Sequence, residues 1–540
     1  MKRIFKALCL VVFTSFFFSA QAAEKLDYAS LRTLPILDQG RIKPFDTFAR
    51  ESVQTVTGRV FFEGKDPVET LLGWMAEPEK AIHAPLLLAR YEPLNQKTGI
   101  VTQNGRISPD DLLNVKEFKL YLKGVMLKQQ EGESLDPIQK EAAQLFQRMN
   151  LFYQIMSGEA LTIFPEGKSE GWASSETAVD SKATQDFKKL LEAFKARDVS
   201  AFSAASVSLK QTLRDTAGSV SNYPTEGQMK REVCFNQIRP FQKAWILFLA
   251  AFVMALLALT AKKKFFYAAG LVFAVSGVGI SIYGFVIRCL IAGRPPVSNM
   301  YESVIWVSFG AMIFALIFEA IYRSRYFLLS GAAGATLGLV LADNLPNVLS
   351  ANINPLVPVL RSNYWLTIHV LTITLSYAAF LLAMGIGQVA IGYYAFRPQE
   401  TSTIKRLNLF LYRVLQVGVV LLAAGTILGG VWANYSWGRF WGWDPKEVWA
   451  LIALLGYLAI LHGRFAGWLR DFGMAVWSVL SFLLVIMAWY GVNFVLGVGL
   501  HSYGFSSGGF TGVMIFVGTQ LAWVLFATYR YKGLPKASAS

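Results

Sequence analysis

Apolar residues are distributed unevenly along this chain of 540 residues. After about residue 243, long runs rich in Leu, Val, Ala and Phe dominate, and their length is typical of membrane-spanning helices. We place nine spans at residues 244–261, 265–289, 301–322, 327–343, 365–395, 408–433, 447–464, 472–495 and 511–529. The fourth run is short for a span, and the fifth is longer than a bilayer requires. The pattern predicts a polytopic α-helical membrane protein whose transmembrane domain covers residues 243–530.

The first apolar run has a different character from the later ones. It follows the basic start Met1-Lys2-Arg3, extends to about Ala20 and ends in an Ala-x-Ala site at Ala22. This arrangement predicts a secretory signal peptide over residues 1–22, and an uncleaved anchor is the alternative. Either version exports the residues that follow it.

The exported part, residues 23–242, is polar and rich in turn signals. Residues 36–44 have the pattern of a strand, a turn and a second strand. Helical spacing of apolar residues predicts helices at 110–129, at 137–156 and, as an amphipathic pair, at 187–213. We therefore predict a mixed, mainly α-helical domain. Its sequence shows no metal-binding or catalytic cluster, and His83 is interpreted as an ordinary surface or helix-end histidine.

The net charge is +15, from 51 basic and 36 acidic residues. A basic chain can bind nucleic acid, but here the basic residues fall in the loops that leave the odd-numbered spans. Those loops hold Lys262 to Lys264, Arg323 and Arg325, Arg397 to Arg406, Arg464 to Arg470, and the tail from Arg530. The positive-inside rule then makes residues 531–540 a cytoplasmic tail and places the exported domain in the periplasm, across a bacterial inner membrane. No nucleic-acid partner is predicted.

One short stretch between the sixth and seventh spans concentrates aromatic residues. Residues 437–449 contain four tryptophans together with two glycines. Buried tryptophan needs a partner for its ring N–H, and glycine lets backbone approach closely, so the stretch suggests a flat aromatic shelf that suits a porphyrin. The alternative is an aromatic belt at the membrane interface. The predicted topology places the stretch on the outer face.

The chain has four histidines, and two of them share the outer face with the tryptophan stretch. His369 lies about one turn inside the fifth span, and His501 lies in the loop after the eighth. Two neutral imidazoles can ligate one haem iron, and the alternative is two unrelated histidines bonded to backbone. His462 lies at the inner end of the seventh span, where it could also interact with the helix dipole.

Several ordered motifs resemble one family. The stretch WGRFWGWDPKE at residues 437–447 is similar to the "WWD" signature of the haem-handling proteins of cytochrome c maturation, and the best agreement is with CcsA (ResC) of System II. The agreeing pieces are residues 296–302, His369 with 376–378, Leu461-His462 with Arg464, and 499–505. The resemblance covers about residues 265–529. Residues 38–47 also resemble a periplasmic segment attached to CcsA in some fused proteins.

The resemblance implies a function and a set of binding residues. His369 and His501 would ligate haem b beneath the signature, and His462 would receive haem at an inner site. The family is thought to export haem and join its vinyl groups to the CxxCH cysteines of apocytochrome c, with a CcsB (ResB) partner. A second inner-site histidine, present in fused proteins, is absent here, so a separate CcsB-like subunit is expected to supply it.

Other residues near the signature have expected roles. Trp437, Trp441 and Trp443 would cover a haem face or edge. Asp444, followed by a proline and by a glutamate three residues later, has the pattern of a capping box. Arg294 and Arg439 are candidates for binding the haem propionates, with lipid headgroups as the alternative partners.

The cysteines add no competing chemistry. Cys9 leaves with the signal peptide, while Cys234 and Cys289 lie near the outer face and could pair. The chain has no CxxCH and no CxxC, so it is neither a c-type cytochrome nor a thiol reductant, and thiol-reducing periplasmic proteins are expected as partners. Three functions stay open: a haem lyase subunit, a haem transporter or chaperone that supplies another lyase, and an electron-transfer protein. No four-histidine bundle supports the third.

Overall fold

In the computed structural model the chain divides into two compact units, Met1–Val233 and Cys234–Ser540. The structure describes residues 26–165, 171–178, 181–217, 223–260, 263–346, 348–356, 358–496 and 508–533. The predicted signal peptide and His501 lie outside these residues.

The first unit is mainly helical in the part that the structure describes. Its helices are α1 Ala29–Arg32, α2 Phe45–Thr57, α3 Pro67–Ala76, α4 Pro78–His83, α5 Glu92–Thr98, α6 Pro109–Asn114, α7 Lys116–Gln130, α8 Pro137–Ser157, α9 Lys182–Ala196 and α10 Val199–Thr216. Three antiparallel two-stranded sheets pair β1 Pro35–Asp38 with β2 Arg41–Pro44, β3 Leu87–Leu88 with β4 Arg106–Ile107, and β5 Phe164–Pro165 with β6 Trp172–Ala173.

The predicted strand–turn–strand at the start of this unit is confirmed. Ile36 pairs with Lys43 across the hairpin of β1 and β2. Gln39 and Gly40, the two turn residues, have φ of 50° and 75°, which is the left-handed geometry that matches the twist of a tight hairpin. The helices predicted at 137–156 and 187–213 are also present, the latter as the pair α9 and α10.

The continuous helix predicted over residues 110–129 is wrong. The chain breaks at Val115, whose φ of −79° and ψ of 99° are extended, and the segment forms α6 and α7 instead. In this conformation Val115 packs against the apolar core of the unit. Val115 is half-buried there, and tertiary packing of this kind overrides the helical periodicity of the local sequence.

The second unit confirms the polytopic prediction, because nine helices among the described residues are long and apolar enough to cross a membrane. Helix α11 Glu226–Ile238 comes before the first span. Arg239, which has a φ of 51°, separates it from α12. The nine spans are α12 Pro240–Thr260, α13 Lys263–Ala292, α14 Met300–Tyr322, α15 Tyr326–Asn344, α16 Asn363–Phe396, α17 Thr401–Trp437, α18 Pro445–Phe465, α19 Asp471–Leu496 and α20 Phe510–Lys532. The short fourth run is therefore a complete helix.

Helices α16 and α17 form the longest pair and approach each other closely. Their 34 and 37 residues correspond to about 51 and 55 Å at 1.5 Å per residue, so both are longer than the hydrocarbon core of a bilayer. A Cβ atom on Gly425 of α17 would lie 2.8 Å from the Cα atom of Ile373 on α16. Glycine is therefore required there, as at other close crossings of membrane helices.

Two segments of the spans are π-helical rather than α-helical. Leu366–Val370 lies near the start of α16, and Met487–Leu496 forms the end of α19. A π-helical turn inserts one extra residue per turn and is frequent at functional sites. Hydrophobic periodicity does not distinguish such turns from α-helix.

The tryptophan stretch, residues 437–449, is divided among the end of one helix, a loop and the start of the next helix. The sixth span was expected to end at residue 433, but α17 continues to Trp437 and ends at Gly438, whose φ is 71°. The loop then runs to Asp444, and α18 begins at Pro445. The aromatic residues therefore come from the end of α17, from the connecting loop and, with Trp449, from the start of α18.

Candidate functional site

A cavity of about 550 Å³ lies where α17 ends and α18 begins. Its walls come from α14, α16, α17, α18 and α19 and from the loops that precede α14 and α16. The loop charges predict that this end of the helices faces outwards. The volume is within the range of about 300–1,000 Å³ found for small-molecule and cofactor sites.

His369 lies on the wall of this cavity, within the π-helical turn of α16. Its Nδ1 atom lies 2.9 Å from the carbonyl oxygen of Gly425 on α17. A carbonyl oxygen only accepts, so Nδ1 carries a proton, and in the neutral imidazole Nε2 then carries the lone pair. This tautomer is the one in which Nε2 can ligate a metal ion, with the carbonyl fixing the ring orientation.

Gly429 of α17 makes room for the His369 ring. A Cβ atom at this glycine would lie 2.7 Å from His369 Cε1 and 3.4 Å from Nε2. Gly425 thus lets α16 approach α17 closely, and Gly429 leaves space for the edge of the His369 imidazole between the two helices. The helix repeat places both on one face of α17.

We expect Gly429→Ala to displace the His369 ring and lower haem affinity by about 10–100-fold, the usual cost of disturbing the orientation of a ligating histidine. The measurement is a haem titration of purified protein followed by absorption spectroscopy. Gly392→Ala on α16 is the matched control, because its added Cβ meets no atom within 4 Å. Equal affinities for the two variants would contradict the proposed packing.

Aromatic side chains form much of the remaining wall. Trp437 and Trp441 of the predicted stretch line the cavity, and Trp432 and Trp489 line it as well. Trp443 is not among the lining residues. It is 71% exposed and meets Trp441 edge-on, with 6.1 Å between ring centroids.

Sequence reasoning missed Trp432 and Trp489. A signal for Trp432 existed, because it follows Gly429 by three residues and precedes Ser436 by four, which is the spacing of one helix face. All three line the cavity. Trp489 gave no such signal, since it lies in the π-helical segment of α19.

The capping box predicted at the start of α18 is present. Asp444 accepts a hydrogen bond of 2.9 Å from the backbone N–H of Lys446. Glu447 Oε2 accepts from the backbone N–H groups of Gly442 and Asp444, at 2.7 and 3.3 Å. These bonds hold the loop that carries Trp441. Glu447 also lines the cavity, and its Oε1 atom is buried without a hydrogen-bond partner among the described residues.

Two cationic side chains line the cavity, and only one of them was predicted. Arg294 donates to the hydroxyl of Ser298 at 3.1 Å and to the carbonyl of Asn354 at 2.6 Å. Lys446, in the first turn of α18, is the unpredicted one. Arg439, the other predicted cation, is not among the lining residues. Its guanidinium lies directly against Gly442.

A buried ion pair supports the loop on one side of the cavity. Arg288 and Glu302, only 2% and 1% exposed, meet at 2.7 Å between Nε and Oε1. Arg288 also donates to the carbonyl of Ala351 at 2.9 Å, and Glu302 Oε2 accepts from both the N–H and the hydroxyl of Ser298 at 2.7 Å. The pair therefore anchors the chain on both sides of Arg294.

The structure does not bring His462 to this cavity. It lies 17 residues after the start of α18, which corresponds to about 25 Å along the helix. Its Nδ1 atom is 2.8 Å from the Leu458 carbonyl. His501 falls in residues 497–507, outside the described residues. Cys234 and Cys289 are free thiols.

Comparisons with known proteins identify a family. A family described as "Cytochrome C assembly protein" matches residues 297–501, a range that includes His369, His462 and the tryptophan stretch. The chain is 34% identical over 305 residues to the cytochrome c biogenesis protein CcsA of Prochlorococcus marinus (strain NATL1A), covering 47% of this chain and 93% of that protein. It is 33% identical over 307 residues to CcsA of Synechococcus sp. (strain CC9605), covering 49% of this chain and 98% of that protein.

The chain therefore belongs to the CcsA family of cytochrome c biogenesis proteins. It is also 28% identical over 491 residues to Protein NrfI of Wolinella succinogenes. That match covers 86% of this chain and therefore extends into the N-terminal unit. The chain spans about half of that relative, 53% of its length.

Proposed function

We propose that this protein exports haem b and presents it at the outer membrane face for thioether attachment to the CxxCH motif of apocytochrome c. It would act as one subunit of a holocytochrome c synthase of the CcsB–CcsA type. The observation that supports the proposal is His369, whose imidazole is oriented by the Gly425 carbonyl in the wall of a cavity lined by tryptophans. Haem is the substrate, and a flat apolar ring with one ligating histidine fits these residues.

The residues of the cavity have distinct tasks in this proposal. His369 supplies one axial ligand, fixed by the Gly425 carbonyl, and His501 supplies the other. Trp437 and Trp441 cover the ring and exclude water. Asp444 and Glu447 hold the loop that positions Trp441, so their contribution is to the shape of the cavity.

Attachment adds a cysteine thiol across a vinyl group, so that a carbon–sulfur bond forms and the proton ends on the neighbouring carbon. The step involves no net oxidation, but it requires a reduced thiol, which explains the expected thiol-reducing periplasmic partners. Fixed placement of the vinyl group beside the thiol can supply much of the rate. A cavity built on helix ends provides such fixed placement.

Delivery from the inner side would use His462 together with a ligand from a separate CcsB-like subunit. His462 lies on α18 at the end opposite to the cavity. In this arrangement the protein is an inner-membrane protein, and the N-terminal unit lies in the periplasm, where apocytochrome is available.

Co-expression with an apocytochrome in a host that lacks its own maturation system tests the function. We expect covalent haem on the cytochrome when a CcsB-like subunit is present, and none without it. Haem on this protein but never on the cytochrome would instead support a transporter or chaperone that supplies another lyase. Absence of haem from both proteins would contradict haem handling altogether.

Trp441→Ala is expected to reduce the haem that remains on the purified protein several-fold, because an indole that covers the ring is lost. The amount of protein in the membrane should not change. Trp468→Ala is the matched control, since Trp468 is 88% exposed and lies beyond the other end of α18. The measurement is the haem-to-protein ratio, and equal ratios for the two variants would remove Trp441 from the binding site.

A further inference from the structure

Lys446 is a cation in the cavity wall whose partner is neutral. It lies in the first turn of a membrane-spanning helix, and its Nζ atom is 3.2 Å from Oδ1 of Asn493 on α19. Among the described residues no carboxylate oxygen lies within 4.0 Å of this ammonium, and residues 497–507 contain no Asp or Glu. Asp444, two residues earlier, accepts a hydrogen bond from the backbone N–H of Lys446, and its negative charge also acts on the ammonium without forming an ion pair within 4.0 Å.

The amide of Asn493 is itself fixed in orientation. Its Nδ2 atom donates to the carbonyl of Trp489 at 2.6 Å and lies 3.3 Å from the sulfur of Met300. Oδ1 is therefore the atom that faces Lys446, and the π-helical end of α19 holds it there. Asn493 is a positioning residue that keeps the ammonium at the cavity wall.

An ammonium surrounded by apolar groups is costly unless an anion or several hydrogen bonds compensate it. A single amide oxygen compensates it only in part. Arg294 adds a second cation to the same wall, against one carboxylate, that of Glu447. The charges of the cavity therefore favour a ligand that carries carboxylates.

We propose that Lys446, positioned by Asn493, binds a propionate carboxylate of the tetrapyrrole and so fixes the rotation of the ring in the cavity. The inference rests on the proposed function and assigns to Lys446 the role that chemistry alone suggested for Arg439. A tetrapyrrole with its propionates held at one edge presents its vinyl groups in a defined direction. Lys446 thereby determines which substituents face the incoming cysteines.

The test compares haem with haem dimethyl ester, in which both propionates are blocked. Each is titrated into purified wild-type protein, Lys446→Met, Lys446→Arg and Asn493→Ala, and absorption spectra give the dissociation constants. Wild-type protein should bind haem at least about tenfold more tightly than the ester, the effect of one charge-assisted hydrogen bond. Lys446→Met should lose most of this preference, since among the described residues only Arg294 then remains as a cation in the cavity wall. Lys446→Arg should keep the preference, and Asn493→Ala should reduce it.

Lys405→Met is the matched control, because Lys405 is an exposed lysine near the start of α17, away from the cavity. It should keep the full preference. A wild-type protein that does not distinguish haem from its ester, or a Lys446→Met protein that keeps the full preference, would overturn the assignment. Absence of binding to both ligands by wild-type protein would instead reject the proposed function. If Lys446→Met does not fold, the preference measured for Lys446→Arg and Asn493→Ala decides the assignment.

Discussion

Replacing His369 with alanine is expected to change the haem spectrum of the purified protein and to reduce cytochrome maturation to background. The variant removes the one imidazole among the described residues that lines the cavity, and with it the Nε2 lone pair. Added imidazole should partly restore both properties, because it can occupy the space that the side chain leaves. The measurements are absorption spectra of the reduced and oxidised protein and haem staining of the co-expressed cytochrome.

His83→Ala is the control for this experiment. His83 ends helix α4 of the N-terminal unit, is largely exposed and lies 3.4 Å from the carboxylate of Asp110. Its removal should leave spectra and maturation unchanged. We expect His501→Ala to behave like His369→Ala, since each would remove one axial ligand. Wild-type spectra in both His369→Ala and His501→Ala would reject the ligand assignment.

Replacing Glu302 with leucine should destabilise the second unit by about 3–5 kcal/mol, the typical cost of leaving one charge of a buried pair without its partner. Arg288 would remain inside the protein with 2% of its side chain exposed. Ser298 would also lose the acceptor for its N–H and its hydroxyl. The measurement is the temperature at which the detergent-purified protein loses half its folded signal, taken at one scan rate because such unfolding is often irreversible.

The double variant Arg288→Met with Glu302→Leu separates stability from binding. Replacing a whole buried pair by apolar groups is often nearly neutral, so much of the lost thermal stability should return. The bond from Arg288 to Ala351 stays absent, and the loop beside Arg294 loses its anchor. We therefore expect weak haem binding despite recovered stability. A single Glu302→Leu variant as stable as wild type would show that the pair contributes nothing.

The features of the candidate site that could be predicted are those whose interactions join residues close together in sequence. The capping box of Asp444 and Glu447 was predictable because its bonds join residues three apart. The exposure of Trp443 and the lining position of Trp441 were not, because their difference depends on the φ of 56° at Trp443 and on which elements the loop meets. Lys446 looked like part of a helix start and gained a role only beside Asn493, 47 residues away.

The sequence by itself determined the membrane class and nine apolar spans, and its ordered motifs predicted the family to which the comparisons assign the chain. These features depend on hydrophobicity and on short-range order, which a run of about 20 residues contains completely. Only the tertiary structure decided that α16 and α17 cross at Gly425 and Gly429, and that a carbonyl of one fixes the His369 imidazole of the other. Such contacts join residues more than fifty positions apart, and packing of whole helices selects them.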